Sequence, residues 1–243
     1  MNQVIPLVYD EAMLNLGYSI YIHWDVTKNP HLAVQGVTGS GKTYLVKLII
    51  ARIGLFIPDS KITLCDFKGD DSFSFLKEGE GARYYSFQNC LTGFDSFYEG
   101  FLSRQSGKDS SRNLCLLVFD EFSSFLNFQD KKLAEEYRKK LASILMLGRS
   151  FNYHVLLSQQ RLSAEDFPKV RDNLNTVITL SNPSKEIIGM FYSDFRDEIK
   201  NDRGLGTGYM MTNGSDFRKI VVPRISDMQK VDYCIKKAVE YAT

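Results

Sequence analysis

One glycine-rich segment constrains the fold of this chain more than any other feature. Residues 36–43 read Gly-Val-Thr-Gly-Ser-Gly-Lys-Thr. An apolar stretch at 31–35 precedes the segment, and apolar residues at helical spacing follow it from about Lys42 to Leu55. A turn of this kind between a buried strand and a helix lets successive backbone N–H groups and the helix N-terminus point at one anion. The segment therefore predicts a phosphate-binding loop in an α/β fold.

The residue types in this loop also predict its ligands. Lys42 is expected to reach the β- and γ-phosphates of a nucleotide, and the Thr43 hydroxyl to coordinate Mg²⁺. We therefore expect ATP and Mg²⁺ as cofactors. The residues expected to hold the nucleotide are Gly36, Val37, Thr38, Gly39, Ser40, Gly41, Lys42, Thr43 and Tyr44. The alternative is a glycine-rich turn with a chance lysine, but every fixed position of the phosphate-loop pattern is matched.

A second segment supplies two acidic residues. Residues 114–119 form a continuous apolar run, which is typical of a central parallel strand, and Asp120 and Glu121 follow it directly. Ligands of open α/β sheets bind at the carboxyl ends of the strands. Asp120 is therefore expected to bind Mg²⁺, and Glu121 to activate the attacking water. Read alone, the two acids could instead end a strand and cap the next helix.

Strand-like and helix-like segments alternate along the chain. Strands are predicted at 18–24, 31–35, 61–67, 82–87, 114–122, 153–158, 176–181 and 217–223. Helices are predicted at 42–55, 92–104, 130–149, 164–172, 184–190 and 226–241. This alternation predicts an α/β domain with a mostly parallel sheet and helices on both faces. We expect a single domain over 1–243, with a strand-rich lead-in at 1–28, a core at 29–225 and a C-terminal helix at 226–243.

Composition limits the possible settings and partners. Thirty Lys and Arg residues balance 29 Asp and Glu residues, so no global positive field indicates a nucleic-acid binder, and any such surface must be local. The four cysteines show no CxxC spacing, which favours a reduced cytosolic setting. We find no signal-peptide pattern, and the apolar runs are far shorter than the ~20 residues that span a bilayer. We expect a cytoplasmic protein that a partner recruits to any membrane.

Several segments together resemble the FtsK/SpoIIIE family of DNA translocases, within the FtsK–HerA group of P-loop NTPases. The segment 29–43 resembles the family's strand and phosphate loop, and 116–126 resembles its acidic strand end. The other similar segments follow in the family's order at 64–73, 145–161, 170–186 and 204–211. An ordered set of this kind is far more specific than a phosphate loop alone.

The resemblance implies a RecA-like P-loop NTPase that hydrolyses ATP. It also implies a homohexameric ring with ATP between subunits and DNA, single- or double-stranded, in the centre. Gln160 matches the residue that senses the γ-phosphate, and Arg149 matches an arginine that acts in trans on the neighbouring subunit's ATP. Without the family, Arg149 could be a cation favoured at a helix C-terminus. Asp66 and Lys68, in the Asp-x-Lys-Gly segment, are expected mainly to stabilise a strand end and turn.

The sequence also departs from the family pattern. The membrane segments, long linker and winged-helix domain of the chromosome-segregating members are not seen, so the chain resembles a compact form. A compact motor fits a plasmid, a conjugative or integrative element, or a phage, with a separate membrane or recruitment protein. Two alternatives remain open. One is an ATPase for protein secretion, and the other is an ATP-switched assembly module with little hydrolysis.

Candidate DNA contacts are basic residues in predicted loops, although a solvated surface charge is the commoner explanation for any one of them alone. They are Lys108, Arg112, Arg161, Lys169 and Arg171. Three aromatic residues at helical spacing are expected to form core or subunit contacts rather than base-stacking platforms. They are Phe122, Phe125 and Phe128. Three residues upstream of the phosphate loop are expected to help frame the nucleotide pocket. They are Trp24, Asp25 and His31.

Overall fold

Strands and helices alternate through most of the computed structural model, which describes residues 3–76, 81–163 and 173–240. The strands are β1 Val4–Asp10, β2 Tyr21–Asp25, β3 His31–Gln35, β4 Lys61–Asp66, β5 Tyr84–Ser86, β6 Cys115–Asp120, β7 Tyr153–Gln159, β8 Thr176–Leu180, β9 Thr207–Thr212 and β10 Asp216–Val221. The α-helices are α1 Glu11–Asn15, α2 Lys42–Phe56, α3 Cys90–Gln105, α4 Phe122–Phe128, α5 Lys131–Phe151, α6 Lys185–Phe191 and α7 Met228–Val239.

The strands form one sheet in the order β2-β1-β10-β9-β8-β3-β7-β6-β4-β5. All neighbouring pairs from β8 to β5 in this order are parallel, whereas those from β2 to β8 are antiparallel. The α/β class and the parallel sheet around the phosphate loop are thereby confirmed. The antiparallel extension joins the N-terminal lead-in to the same sheet, because β1 pairs with β10.

Helices cover both faces of the sheet, as predicted. Successive residues of β6 point to opposite faces: Leu116 and Val118 pack with α2 and α7, whereas Leu117 and Phe119 pack with α3, α4 and α5. Both faces of this strand are therefore apolar, which explains its continuous apolar sequence. Within the three described ranges, no helix is long and apolar enough to cross a membrane.

The strand β9 was not predicted, because its sequence contains a glycine within a glycine-punctuated segment. Gly208 lies where β9 passes very close to β8, and a Cβ there would stand 2.0 Å from the Thr179 carbonyl oxygen. Glycine inside a strand often marks such a close backbone approach. The predicted helix at 164–172 lies outside the described residues.

The end of α5 packs tightly against the start of β7. A Cβ at Gly148 would stand 2.2 Å from the Tyr153 carbonyl oxygen, so only glycine fits without a backbone shift. Gly148→Ala should lower the free energy of unfolding by about 1–3 kcal/mol, the usual cost of overpacking. Gly189→Ala in α6 is a matched control, because a Cβ there meets nothing within 4 Å. In denaturant unfolding, the free energy of unfolding of Gly189→Ala should rise by about 0.5–1 kcal/mol, because alanine has the higher helix propensity. Equal stability of the two variants would contradict the packing explanation.

Candidate active site

The phosphate loop occupies the turn between β3 and α2. Gly39 and Gly41 have φ angles of +80° and +97°, a region that residues with a Cβ rarely adopt. At Gly36 the requirement for glycine is steric, because a Cβ there would stand 2.5 Å from the Ser40 Oγ. Gly41 immediately precedes α2, and no side chain caps this helix N-terminus in the described structure. Backbone N–H groups and the helix dipole there favour an anion.

Lys42 is the only side chain of the loop that carries a formal charge. It is 8% exposed, and its Nζ donates a hydrogen bond to the Gly36 carbonyl oxygen at 2.7 Å. Burial lowers the pKa of Lys42, whereas the nearby carboxylates of Glu121 and Asp120 act to raise it. The ammonium group is thus folded back over its own loop. A phosphate group is a stronger partner for it than a carbonyl.

Two carboxylates face the loop from the end of β6. Burial, together with the neighbouring Glu121 and Asp66 carboxylates, raises the pKa of Asp120 to about 7. Burial also raises the pKa of Glu121. Two partly or fully buried acids so close together make a site that favours a cation.

Glu121 is held in an unusual backbone conformation at the N-terminus of α4. Its φ of +57° is a left-handed value that is uncommon for a residue with a side chain, and such strain often marks functional positions. The Glu121 N–H donates to the Ser158 carbonyl oxygen at 2.8 Å. The Gln160 N–H donates to Glu121 Oε1 at 3.1 Å. The end of β7 therefore fixes both the backbone and the carboxylate of Glu121.

These groups meet in one cleft of about 270 Å³. Of the residues expected to hold the nucleotide, all except Gly36 and Ser40 line this cleft. Gly36 contributes the carbonyl that holds Lys42, and Ser40 is buried within the loop. The residues outside the loop and α2 that line the cleft are Lys68, Asp120, Glu121, Gln160 and Leu205. The tertiary fold thus brings together segments that lie far apart in the sequence.

The oxygen atoms at this cleft fit a magnesium ion. Thr43 and Asp120 both line the cleft, and hydroxyl and carboxylate oxygens are the hard donors that Mg²⁺ prefers. The raised pKa of Asp120 indicates a carboxylate short of positive partners, a deficit that a divalent cation would correct. Thr43 and Asp120 therefore fit the expected metal role, which remains a prediction.

Several buried polar atoms beside the loop lack a hydrogen-bond partner within the described part of the chain. They are Gln35 Oε1, Ser40 Oγ, Ser158 Oγ and Gln159 Nε2. Such atoms are rare in native structures and often mark a place for water or a ligand. Sequence reasoning missed Gln35, Ser158 and Gln159. The available signal was their position at the carboxyl ends of β3 and β7, which flank the phosphate loop.

Arg149 lies at the opposite edge of the sheet from this cleft. Ser158 is level with Asp120, whereas Tyr153 is level with Cys115 at the start of β6. Five residues of strand separate these two levels, about 17 Å at ~3.3 Å per residue. Arg149 precedes Tyr153 and is exposed. It therefore does not reach the cleft of its own chain, and a role on a neighbouring subunit's ATP stays a prediction.

The candidate DNA contacts are spread over both edges of the sheet. Lys108 and Arg112 lie in the loop before β6, at the same edge as Arg149, and the Arg112 carbonyl accepts a hydrogen bond from Asn152 Nδ2 at 2.8 Å. Arg161 lies at the cleft edge and forms an ion pair with Glu186 at 2.7 Å. Two further candidates lie outside the described residues. They are Lys169 and Arg171.

Three residues expected to frame the nucleotide pocket do not line the cleft, so that expectation was wrong. His31 begins β3 and accepts a hydrogen bond at Nδ1 from the Val155 N–H at 3.2 Å. The phosphate loop follows the other end of that strand. Trp24 is buried and donates from Nε1 to the Asn29 carbonyl oxygen at 2.6 Å, and Asp25 caps the adjacent turn. Their roles are structural because strand length separates them from the loop.

The aromatic residues after Glu121 divide between core and surface. Phe122 and Phe125 are fully buried between α4, α5 and the sheet, as expected of core residues. Phe128 is 51% exposed and contacts the rings of Phe67 and Phe87, with centroids 5.8 and 5.1 Å away. An aromatic surface therefore lies beside the acidic strand end.

Comparison with known families identifies the chain. Residues 12–226 match the family described as Helicase HerA, central domain. The chain belongs to this family. The match spans the phosphate loop, the acidic strand end and both halves of the sheet. The resemblance to the FtsK–HerA group of P-loop ATPases is therefore confirmed, and the chain is a P-loop ATPase domain.

A curated relative supports the same placement. The chain is 29% identical over 223 residues to the "Ftsk domain-containing protein YdcQ" of Bacillus subtilis (strain 168). The alignment covers 84% of this chain but 46% of that protein. The chain thus spans about half the length of this relative.

Three solved structures share the fold. The cytoplasmic domain of the Thermomonospora curvata type VII secretion ATPase EccC matches with a TM-score of 0.72 and 20% identity, covering 100% of this chain and 32% of that one. The pCW3 conjugation coupling protein TcpA, determined with ATPγS, gives 0.70 and 17%, covering 94% and 68%. The DNA-packaging ATPase B204 of Sulfolobus Turreted Icosahedral Virus gives 0.56 and 14%, covering 80% and 98%.

Proposed function

We propose that this chain hydrolyses ATP and that the energy drives DNA through an oligomeric ring. One observation carries the hydrolysis: Lys42, Thr43 and the Asp120–Glu121 pair line a single cleft over a strand-to-helix phosphate loop. Family membership supports the same activity. The DNA substrate is supported by relatives whose names refer to a helicase, conjugation and DNA packaging.

The cleft gives each proposed residue a chemical task. The loop N–H groups and Lys42 bind the β- and γ-phosphates, and Thr43 and Asp120 hold Mg²⁺, which neutralises phosphate charge when it is bound. Glu121 accepts the proton of the attacking water, and its raised pKa brings it closer to the pH at which it works. Gln160 contacts the γ-phosphate. The Gln160 N–H also donates a hydrogen bond to the Glu121 carboxylate. A movement of Gln160 on contact with the γ-phosphate would therefore shift the general base as well.

A ring would bring to each cleft an arginine that a single chain does not place there. Arg149 is too far from that cleft to contact ATP bound by the same chain, as the register of β6 and β7 requires. We propose that Arg149 enters the cleft of the next subunit in a homohexamer, where such an arginine stabilises the transition state. Heterologous contacts of this kind form a ring when the rotation between subunits closes. The whole chain would then act as one motor domain.

The names of the same relatives also support a proposed biological setting. We propose a role in transfer or maintenance of a plasmid, conjugative element or phage, in the cytoplasm, with a separate partner that recruits the ring to the membrane. Single- and double-stranded DNA both remain compatible with contacts to phosphates. Lys108, Arg112 and Arg161 are the described candidates for those contacts.

Protein secretion is the second candidate function. It is favoured by the EccC match, which covers the whole chain at a TM-score of 0.72. The third alternative, an ATP-switched module with little hydrolysis, is disfavoured because it gives no reason for the strained and buried placement of Glu121.

The deciding measurement is steady-state ATP hydrolysis against protein concentration, with and without single- and double-stranded DNA. We expect the rate per chain to rise with concentration, because the active site needs two subunits, and to rise several-fold further with one form of DNA. The form that stimulates would name the substrate.

A rate that ignores both forms of DNA at every concentration would refute the DNA motor. Stimulation by an unfolded or signal-bearing peptide instead would support secretion. A rate per chain that is independent of concentration would contradict the shared active site. The Lys42→Ala variant is the negative control for contaminating ATPase activity, since it loses the phosphate contact.

A further inference from the structure

Lys68 occupies a place that the proposed mechanism does not use. It lies two residues beyond the end of β4, and β4 and β6 end level with each other at Asp66 and Asp120. Lys68 therefore stands at the same edge of the sheet as Glu121. It lines the nucleotide cleft and also a neighbouring cavity of about 700 Å³.

Three residues line both of these spaces, namely Lys68, Glu121 and Gln160. They form the wall between the phosphate cleft and the cavity beside it. Glu121 and Gln160 are the proposed water-activating and γ-phosphate-sensing residues. Lys68 is thus a cation that lines the cleft from outside the phosphate loop, whereas Lys42 belongs to the loop itself.

The turn that carries Lys68 is rigidly built. The Asp66 Oδ1 accepts a hydrogen bond from the Gly69 N–H at 2.9 Å, and Gly69 has a φ of +61°. The preceding Phe67 is buried and packs edge-to-face on Phe125. The backbone is therefore fixed on both sides of Lys68. Its side chain is half exposed and has four rotatable carbons, so it can change partner.

The present partner of Lys68 is Asp70. Lys68 Nζ lies 2.6 Å from Asp70 Oδ2, and the two side chains are 49% and 36% exposed. Asp70 and, more weakly, Asp120 and Glu121 raise the pKa of Lys68, so the lysine is charged. An ion pair that is this exposed to solvent contributes little to stability. Exchanging it for a multiply charged phosphate therefore costs little and gains a stronger partner.

We propose that Lys68 is a second catalytic cation, which leaves Asp70 to contact the γ-phosphate of ATP bound in its own chain. This inference rests on the proposed ATP hydrolysis. Charge spreads over the equatorial oxygens of the transferred phosphoryl group in the transition state. A cation outside the loop neutralises oxygens that the loop does not reach.

Steady-state kinetics of the full chain test the assignment. Lys68→Met should lower kcat on the order of 100-fold and raise KM for ATP by about 10-fold, because the cation binds the γ-phosphate in the ground state and more strongly in the transition state. Lys68→Arg should recover part of the loss, since it keeps the charge. Lys237→Met is the matched control, because Lys237 is also an exposed lysine paired with a carboxylate, at 2.9 Å from Glu240. An unchanged kcat in Lys68→Met would overturn the proposal.

Nucleotide affinity separates a catalytic from a structural role. Lys68→Met should weaken binding of ATPγS by about 10-fold and leave ADP binding unchanged, because only the former has a γ-phosphate. Its thermal midpoint should match that of the wild type. Equal weakening of both nucleotides, or a fall in the midpoint, would show that Lys68 only supports the turn.

The Asp70→Asn variant tests the exchange of partners. Asparagine still caps the following turn, where Asp70 Oδ1 now accepts the Ser72 N–H at 2.9 Å, but it no longer holds Lys68 by charge. Turnover should be retained and KM for ATP lowered. A loss of turnover as large as that of Lys68→Met would refute the exchange. If the wild type does not hydrolyse ATP, the proposed function fails, whereas the ATPγS and ADP affinities still test Lys68.

Discussion

ATP turnover should fall on the order of 10²–10⁴-fold when Glu121 is replaced with glutamine, the range that general bases contribute, while ATP remains bound. The glutamine Oε1 can still accept the Gln160 N–H, which now donates to Glu121 Oε1 at 3.1 Å. The position of the side chain is thereby preserved. Only the ability to take a proton from water is lost. Single-turnover hydrolysis and retention of labelled ATP by the assembled protein measure the two effects separately.

Stability gives an independent check on the same variant. Burial raises the pKa of Glu121, which means that the fold disfavours the charged carboxylate there. A neutral glutamine removes that penalty, so the thermal midpoint should be equal to or above that of the wild type. Glu135→Gln on the exposed face of α5 is the control and should keep full turnover. Normal turnover of Glu121→Gln, or turnover lost together with a lowered midpoint, would contradict the general-base assignment.

The nucleotide cleft could be predicted because its signals are local. The left-handed backbone at positions 39 and 41 requires glycine, and Lys42 follows as the first residue of α2. Asp120 and Glu121 end an apolar run whose continuity reflects helices on both faces. Parallel strands place their carboxyl ends at one edge, so the two segments meet without further information.

Other features depend on tertiary contacts that leave no local signal. Proximity in sequence suggested that His31 frames the pocket, but a strand carries it to the opposite edge. The glycine at position 208 weakens the strand pattern of β9 in the sequence, although in the structure this glycine allows β8 to approach closely. The place of Lys68 beside Glu121 follows only once β4 is known to neighbour β6. Sequence spacing gives no such neighbour relation.

Arg149→Ala should abolish most ATP turnover while ATP and Mg²⁺ still bind, because the arginine lies far from the cleft of its own chain. Arginines supplied in trans contribute on the order of 10³–10⁵ in rate in related NTPases. Lys139→Ala, which removes an exposed cation of the same helix, is the control and should keep turnover. An Arg149→Ala variant with full turnover would reduce Arg149 to a cation at the C-terminus of α5.

Mixing two inactive variants distinguishes action in trans from a local effect. An Arg149→Ala chain keeps its Glu121, and a Glu121→Gln chain keeps its Arg149. In rings assembled from equal amounts, about a quarter of the head-to-tail interfaces combine an intact Glu121 with an intact Arg149. Turnover should therefore recover to a measurable fraction on mixing, with a maximum near equal proportions. Recovery requires that two chains share one cleft. Mixtures as inactive as their parents would refute both the shared site and the assignment of Arg149 to it.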